Sequence, residues 1–299
     1  MPVLEQEMVL RGKGIHSGLS SAVQVRRRDD SLGVRFFWPG WATPLLPKDL
    51  GLLHRLARHS TILEGMGGEK IRTPEHLLAA ALFFAEAPLD ISCDASEPPG
   101  LDGSAQPFYN LLAQAFPNAA NPPHWREYPS DLKWEYLGPE GSLRAMPSEK
   151  FSVEYTWDKS PLAQSFILRD AATAVREILP ARTFIYYREW LMARDAADLL
   201  AGADSESGLL LAESGEEFDA ARRIHPQFQG LEFPLLHPGG FRGEQEPVRH
   251  KILDLLGDLA LSGLALPKLR LEVRNGGHAL NHLLLDELLQ EQRKGATAK

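Results

Sequence analysis

Between residues 250 and 258 the chain reads HKILDLLGD. On a helix, successive side chains are 100° apart, so His250, Asp254 and Asp258, at four-residue spacing, form one stripe with Lys251 beside them. Ile252, Leu253, Leu255, Leu256 and Leu259 fill most of the remaining surface. The pattern predicts a helix over 250–261. Elsewhere the period is two. AVQVR (22–26), LGVRFFW (32–38), LDISCDAS (89–96), DLKWEYLG (131–138), SLRAMP (142–147), FSVEYTW (151–157) and PKLRLEVRN (267–275) all read as strands. FSVEYTW places Phe151, Val153, Tyr155 and Trp157 on one face, and LDISCDAS does the same for Ile91, Cys93 and Ala95.

Further helices are predicted over TPEHLLAAALFFAEA (73–87), FYNLLAQAF (108–116), ARDAADLLAGA (193–203) and GHALNHLLLDELLQEQ (277–292). Thr73 suits an N-cap, Pro74 the first helical position, and Glu75 the positive end of the helix dipole. The Pro- and Asn-rich segment 117–131 reads as a linker, and 213–247 as a long loop. Strands and helices occur on both sides of the linker, and the hairpin-like strand runs favour α+β over a doubly wound parallel sheet. The expected organisation is two α+β domains, 1–120 and 121–299, each a β-sheet layered against helices.

Composition narrows the function without naming it. Hydrophobic residues at 43% and charged residues at 24% are ordinary globular values. With 32 basic and 40 acidic residues the formal charge is −8, which opposes nucleic acid as a partner. The single cysteine, Cys93, cannot form an internal disulfide. No signal peptide is read at the start, and the longest strongly apolar run, residues 77–85, is about half a membrane span. A cytoplasmic monomer is the expectation.

Three stretches concentrate histidine with acids: PEHLL, HKILDLLGD and NGGHALNH. A His and an Asp four residues apart on a helix can reach one ion, as two His do in the HExxH zinc motif. His76 would complete a set of two histidines and one carboxylate with His250 and Asp254, leaving a fourth position open, as catalytic zinc sites do. Glu75 points about 100° from His76 and suits a general base. His278, after Gly276 and Gly277, suits an acid or an oxyanion stabiliser, with Asp258 orienting it. On spacing alone, a solvated helical face is the commoner meaning of His250 and Asp254, and the other histidines, His282 included, read as surface or satisfied core.

Six motifs then stand together: GKGIHSG (12–18), TPEHLLAA (73–80), LDGSAQPF (101–108), ARTF (181–184), EPVRHKILDLLGD (246–258) and GGHALNHLL (276–284). In this order and near this spacing they resemble the UDP-3-O-acyl-N-acetylglucosamine deacetylases, zinc amidases that perform the committed step of lipid A synthesis. The resemblance implies an active site between two α+β domains. It implies zinc on His76, His250 and Asp254, Glu75 as base, and His278 with Asp258 as the catalytic pair. It also implies Thr183 at the oxyanion, and substrate contacts from Phe184, Lys251 and Ile15. The partner it implies is an acylated UDP-amino-sugar, met at the inner membrane without an integral segment. Fe(II) is chemically admissible in a His₂Asp site.

Two regions depart from the family pattern. After ARTF comes IYYREW, with bulky Ile185, Tyr186, Tyr187 and Trp190, where small and aliphatic residues lining an acyl passage are expected. AGADSES (201–207) keeps only Gly202 of a GGS turn, and 213–245 is long and poorly matched. These departures open two rivals: a paralogous zinc amidase for another N-acylated amino sugar, and a non-catalytic zinc- or lipid-binding descendant. The second rival leaves Glu75, Asp258 and His278 without a chemical reason to occur together.

Overall fold

The computed structural model describes residues 8–57, 60–195, 200–204 and 206–297. In the first part of the chain run β1 (Met8–Lys13), β2 (Ser20–Arg27), β3 (Arg35–Phe37), β4 (His54–Ala57), β5 (Thr61–Glu64), β6 (Lys70–Arg72), α1 (Glu75–Ala81), β7 (Leu89–Cys93) and α2 (Gln106–Ala115). One sheet has the order β1-β2-β7-β3, with only β3 parallel to its neighbour, and β4-β5-β6 form a small antiparallel sheet. The second part supplies β8 (Trp134–Leu137), β9 (Ser142–Pro147), β10 (Ser152–Trp157), β11 (Gln164–Leu168), β12 (Phe184–Tyr186), α3 (Tyr187–Asp195), β13 (Leu209–Leu211), α4 (Gly215–Ile224), α5 (Glu246–Ala260), β14 (Leu269–Arg274) and α6 (His278–Thr297). Its main sheet runs β11-β10-β14-β9-β8, and β12 and β13 pair in parallel across α3. The architecture is α+β in two sheet-and-helix domains.

The strands follow their period. Val153, Tyr155 and Trp157 of β10 are buried in alternation, as are Leu89, Ile91 and Cys93 of β7. α2 packs on β1 and β2, α5 packs on β10 and β11, and α1 packs against both helices. One apolar cluster accordingly runs from Val23, Phe36 and Ile91 through Leu78 to Leu253, Leu271 and Leu285.

Several local expectations change. Pro74, not Thr73, occupies the N-cap position of α1; Thr73 takes a left-handed φ of 50° and gives its hydroxyl to Glu97 at 3.0 Å. The helix expected over 193–203 begins earlier, at Tyr187, and residues 200–203 form a turn with Leu200 at φ 57°; 196–199 of that expectation lie outside the described residues. The loop expected over 213–247 contains α4. Ser214 accepts the Glu217 amide there, with Glu216 and Glu217 in the first turn and Arg222 and Arg223 in the last.

The largest change concerns α5. Only Arg249 and Lys251 of its fifteen residues are not buried, so the His250–Asp254–Asp258 stripe faces protein and not water. What it faces is α1, itself buried along its whole length. Gly257 makes that approach possible, because a methyl group there would overlap the carbonyl oxygen of Glu75. In a helix interior Gly→Ala ordinarily gains about 1 kcal/mol. Here the clash reverses the sign: Gly257→Ala should destabilise by about 1–3 kcal/mol in chemical denaturation. A variant as stable as the wild type, or more so, would contradict this packing.

Candidate metal centre and acid–base cluster

α1 contributes Glu75 and His76, α5 contributes His250, Asp254 and Asp258, and the first turn of α6 contributes His278. One ligand atom from each of His76, His250 and Asp254 lies within 4.8 Å of the other two, and all three residues are buried. His250 Nε2 is 3.2 Å and His76 Nε2 3.7 Å from Asp254 Oδ1, and the two imidazoles meet edge to face.

The protonation states suit a cation. His250 Nδ1 lies 3.0 Å from the carbonyl oxygen of Ala181. A carbonyl only accepts, so Nδ1 carries the hydrogen and Nε2 presents its lone pair toward His76 and Asp254. Burial keeps the His250 pKa below the ordinary histidine value, against the pull of Asp254. Burial alone would raise Asp254, but His250 and Lys251 hold it well below the usual carboxylate range. A carboxylate and imidazole nitrogens at one buried point are the donor set of a site with an open fourth position.

Glu75 stands beside this set. Its Oε1 is 3.4 Å from the Thr61 amide and 3.8 Å from His278 Nε2, while Oε2 is buried without a hydrogen-bond partner among the described residues. An orphaned buried carboxylate oxygen next to three ligand atoms fits a site built to hold a cation and a reacting water. Burial pushes the Glu75 pKa up to about 8, with Asp258 and Asp254 adding to the rise.

On the far side, His278 Nδ1 donates to Asp258 Oδ2 at 2.9 Å. Burial works against the imidazolium, yet Asp258 and Asp254 lift the His278 pKa to about 9. Burial alone would raise Asp258, but His278 and His282 push it below its ordinary value. Asp258 is fully buried and takes donors on both oxygens: Thr61 Oγ1 donates to Oδ1 at 2.6 Å and Asn281 Nδ2 to Oδ2 at 2.8 Å, and His282 Nε2 lies 3.4 Å from Oδ1. Because the Thr61 hydroxyl spends its one proton on Asp258, it accepts from His282 Nε2 at 3.1 Å.

Gly276 has a steric role here, since a Cβ would overlap Val273 and crowd the Tyr155 hydroxyl. Gly277 faces open space, so only one of the two glycines is needed for close approach. Lys251 Nζ contacts Asp254 Oδ2 at 2.8 Å and lies over the rings of Phe184 and Trp157. Phe184 in turn stands edge-on to His250. Thr183 is held between Gly103 and Gly208, its amide donating to the Gly103 carbonyl at 2.8 Å. Ile15 is buried against Gly100, its carbonyl accepting from the Gly202 amide at 3.0 Å.

A match to the model of the UDP-3-O-acyl N-acetylglycosamine deacetylases (LpxC) covers residues 2–219 and 232–290. The chain belongs to that deacetylase family. Among similar proteins, the UDP-3-O-acyl-N-acetylglucosamine deacetylase of Wolinella succinogenes is 32% identical over 94% of this chain and 87% of its own length. Those of Aquifex aeolicus and Chlamydia trachomatis serovar D are 29% and 27% identical, over 97% of this chain and 93% and 96% of theirs. The gap in the family match, 220–231, falls inside the segment that departs from the pattern in sequence.

Sequence reasoning missed Thr61, Asn281 and the buried Glu97. Thr61 lies on β5, far in sequence from Asp258 and His278, the groups it meets, and no local pattern marks it. Glu97 accepts the amides of His16 and Ser17 and the hydroxyl of Thr73, and so ties the 12–18 loop to the start of α1.

The shifted groups fix how stability depends on pH without a cation. A folded-state pKa raised above the unfolded one gives stability that is present at low pH and lost as pH rises. Glu75 acts between about 4.5 and about 8, and His278 between about 6.5 and about 9. The depressed Asp254 and Asp258 act the other way, below the ordinary carboxylate pKa. His250, lowered by burial, also acts the other way, up to about 6.5, so the metal-free wild type should lose stability from about pH 6.5 to 9 in thermal unfolding. Glu75→Gln should flatten the curve between pH 5 and 8 and overtake the wild type at its upper end; parallel curves would show that Glu75 is not raised.

Proposed function

We propose that the protein is a zinc-dependent hydrolase that removes the acetyl group from UDP-3-O-acyl-N-acetylglucosamine, the committed step of lipid A synthesis. The observation that carries this reading is the buried His76–His250–Asp254 set beside Glu75, in a chain of this deacetylase family. His76, His250 and Asp254 would hold the cation, zinc in preference and Fe(II) as an alternative. When bound, it supplies a Lewis acid that polarises an amide carbonyl and acidifies water.

The chain's own residues do the rest. Glu75 accepts the proton of the attacking water as the new carbon–oxygen bond forms at the acetyl carbon. A dication nearby opposes the burial that raises Glu75 and favours its carboxylate. Thr183 and protonated His278 stabilise the oxygen on which charge develops. His278 also assists departure of the nitrogen as the carbon–nitrogen bond breaks, with Asp258 fixing its tautomer. Acetate and the free amino sugar are the products. Lys251, Phe184 and Ile15 contact the substrate, and the diphosphate draws on local cations such as Lys251 despite the net charge of −8. In this reading residues 1–120 deliver the base and one ligand, and 121–299 the remaining ligands and the acid. The protein acts in the cytoplasm as a monomer, at the face of the inner membrane; no helix among the described residues is long and apolar enough to cross one.

A second reading, a paralogous amidase with another acylated amino sugar, is favoured by one feature. Tyr187 and Trp190 stack, the Tyr187 hydroxyl meets His225 Nε2 at 3.0 Å, and both rings pack with Phe218 and Phe228 into a separate small core. The bulky residues of the departing segment are thus built into a fixed lobe beside β12 and β13.

Acetate release by the zinc-loaded protein from substrates of graded acyl length tests both. A maximum at one length supports the deacetylase reading; no release at any length, with zinc bound, favours the paralogue. Glu75→Gln should lower kcat by about 10²–10⁴-fold while zinc stays bound. Unchanged turnover would overturn the assignment of the base.

A further inference from the structure

One helical turn from the metal cluster, the structure holds an ion pair that the reaction itself does not use. Arg182 and Glu246 are 5% and 2% exposed. Glu246 is the first residue of α5, one turn before His250 on the same face. Its four acceptor directions are all taken: Oε1 accepts the Arg182 amide at 3.0 Å and Nε at 2.8 Å, and Oε2 accepts Arg182 Nη2 at 3.0 Å and the Arg242 amide at 2.6 Å. Arg182 Nη2 also donates to the Gly240 carbonyl at 2.6 Å.

This pair pins a short segment residue by residue. The Pro180 carbonyl accepts from Arg242 Nη1 at 3.1 Å, and that guanidinium also meets Asp102 at 2.7 Å. The Ala181 carbonyl accepts from His250 Nδ1, the Arg182 amide goes to Glu246, and the Thr183 amide to Gly103. The carbonyl that fixes the His250 tautomer therefore sits between two anchors, and the stronger anchor rises from the same helix as His250. Glu246 and His250 grip the segment just before β12 at consecutive turns.

The geometry points to Glu246 and Arg182 as positioning residues for the metal site: by holding the Ala181 carbonyl against His250 Nδ1, they set the affinity for the cation. The inference rests on the metal reading proposed above. Groups that orient a metal-ligating histidine through its second nitrogen typically change metal affinity 10–100-fold when removed. Removing one partner strands a buried charge, whereas removing both does not, so the informative variants are Glu246→Gln, Arg182→Lys and the double variant Arg182→Met with Glu246→Gln.

The experiment is zinc affinity by competition with a chromophoric chelator, together with the melting temperature of each metal-free protein. The expected result is a 10–100-fold weaker zinc affinity in every variant that folds. Arg182→Lys, which keeps a cation opposite Glu246 but loses the two-pronged contact, should lie at the low end and serves if Glu246→Gln does not fold. Lowered melting temperatures with wild-type zinc affinity would overturn the inference and leave the pair a purely structural bridge. Failure of the wild type to bind zinc would instead overturn the metal reading, and this inference with it.

Discussion

Two carboxylates, one turn apart, are buried on a helix of which only Arg249 and Lys251 are not buried, and the rest of the structure follows from satisfying them. An isolated buried carboxylate is penalised by several kcal/mol or more. Asp254 is met by His250 and Lys251, with His76 close by; Asp258 is met by His278, Asn281 and Thr61, with His282 close by. These partners come from both domains. Burying α5 against α1 is therefore what joins the domains and what assembles the cluster, and Gly257 is the atom-scale condition for it.

The two carboxylates are put to different uses by their neighbours. Asp254 shares its oxygens between two imidazole nitrogens and an ammonium, an arrangement open to a cation. Asp258 takes donors on both oxygens, from Thr61, His278 and Asn281; its charge favours the protonated form of His278. Glu75 lies between the two, pushed up by burial and by both charges. One helix stripe with a period of four thus holds one carboxylate open to a cation and one committed to His278, the two that serve as ligand and charge-holder in the proposed reaction.

The stripe, its spacing and its motifs were legible in the sequence because helical periodicity is local. Its burial was not. A polar stripe with the residue types of α5 reads as solvent-facing until a second buried helix is known to cover it, and that helix is far away in sequence. The same limit hid Thr61, whose role depends on β5 passing beside α6, and Glu97, whose three donors come from distant loops. Thr73 misled for a different reason: a good N-cap residue was recruited by a buried carboxylate and its backbone turned left-handed. α4 was hidden by the many Gly, Pro and Glu residues of its segment, although Ser214 and the charge order of the helix were signals in plain view. The separate aromatic core around Tyr187 and Trp190 gives the departing segment a structural reason of its own.

The most direct test of the account is X-ray absorption at the zinc edge on the protein loaded with one zinc per chain. The account predicts two imidazole nitrogens and light oxygen ligands at about 2.0–2.2 Å, no sulfur, and total coordination of four or five. His76→Ala and His250→Ala should each remove one imidazole from the spectrum. Zinc held by other ligands, or a spectrum unchanged in both variants, would contradict it.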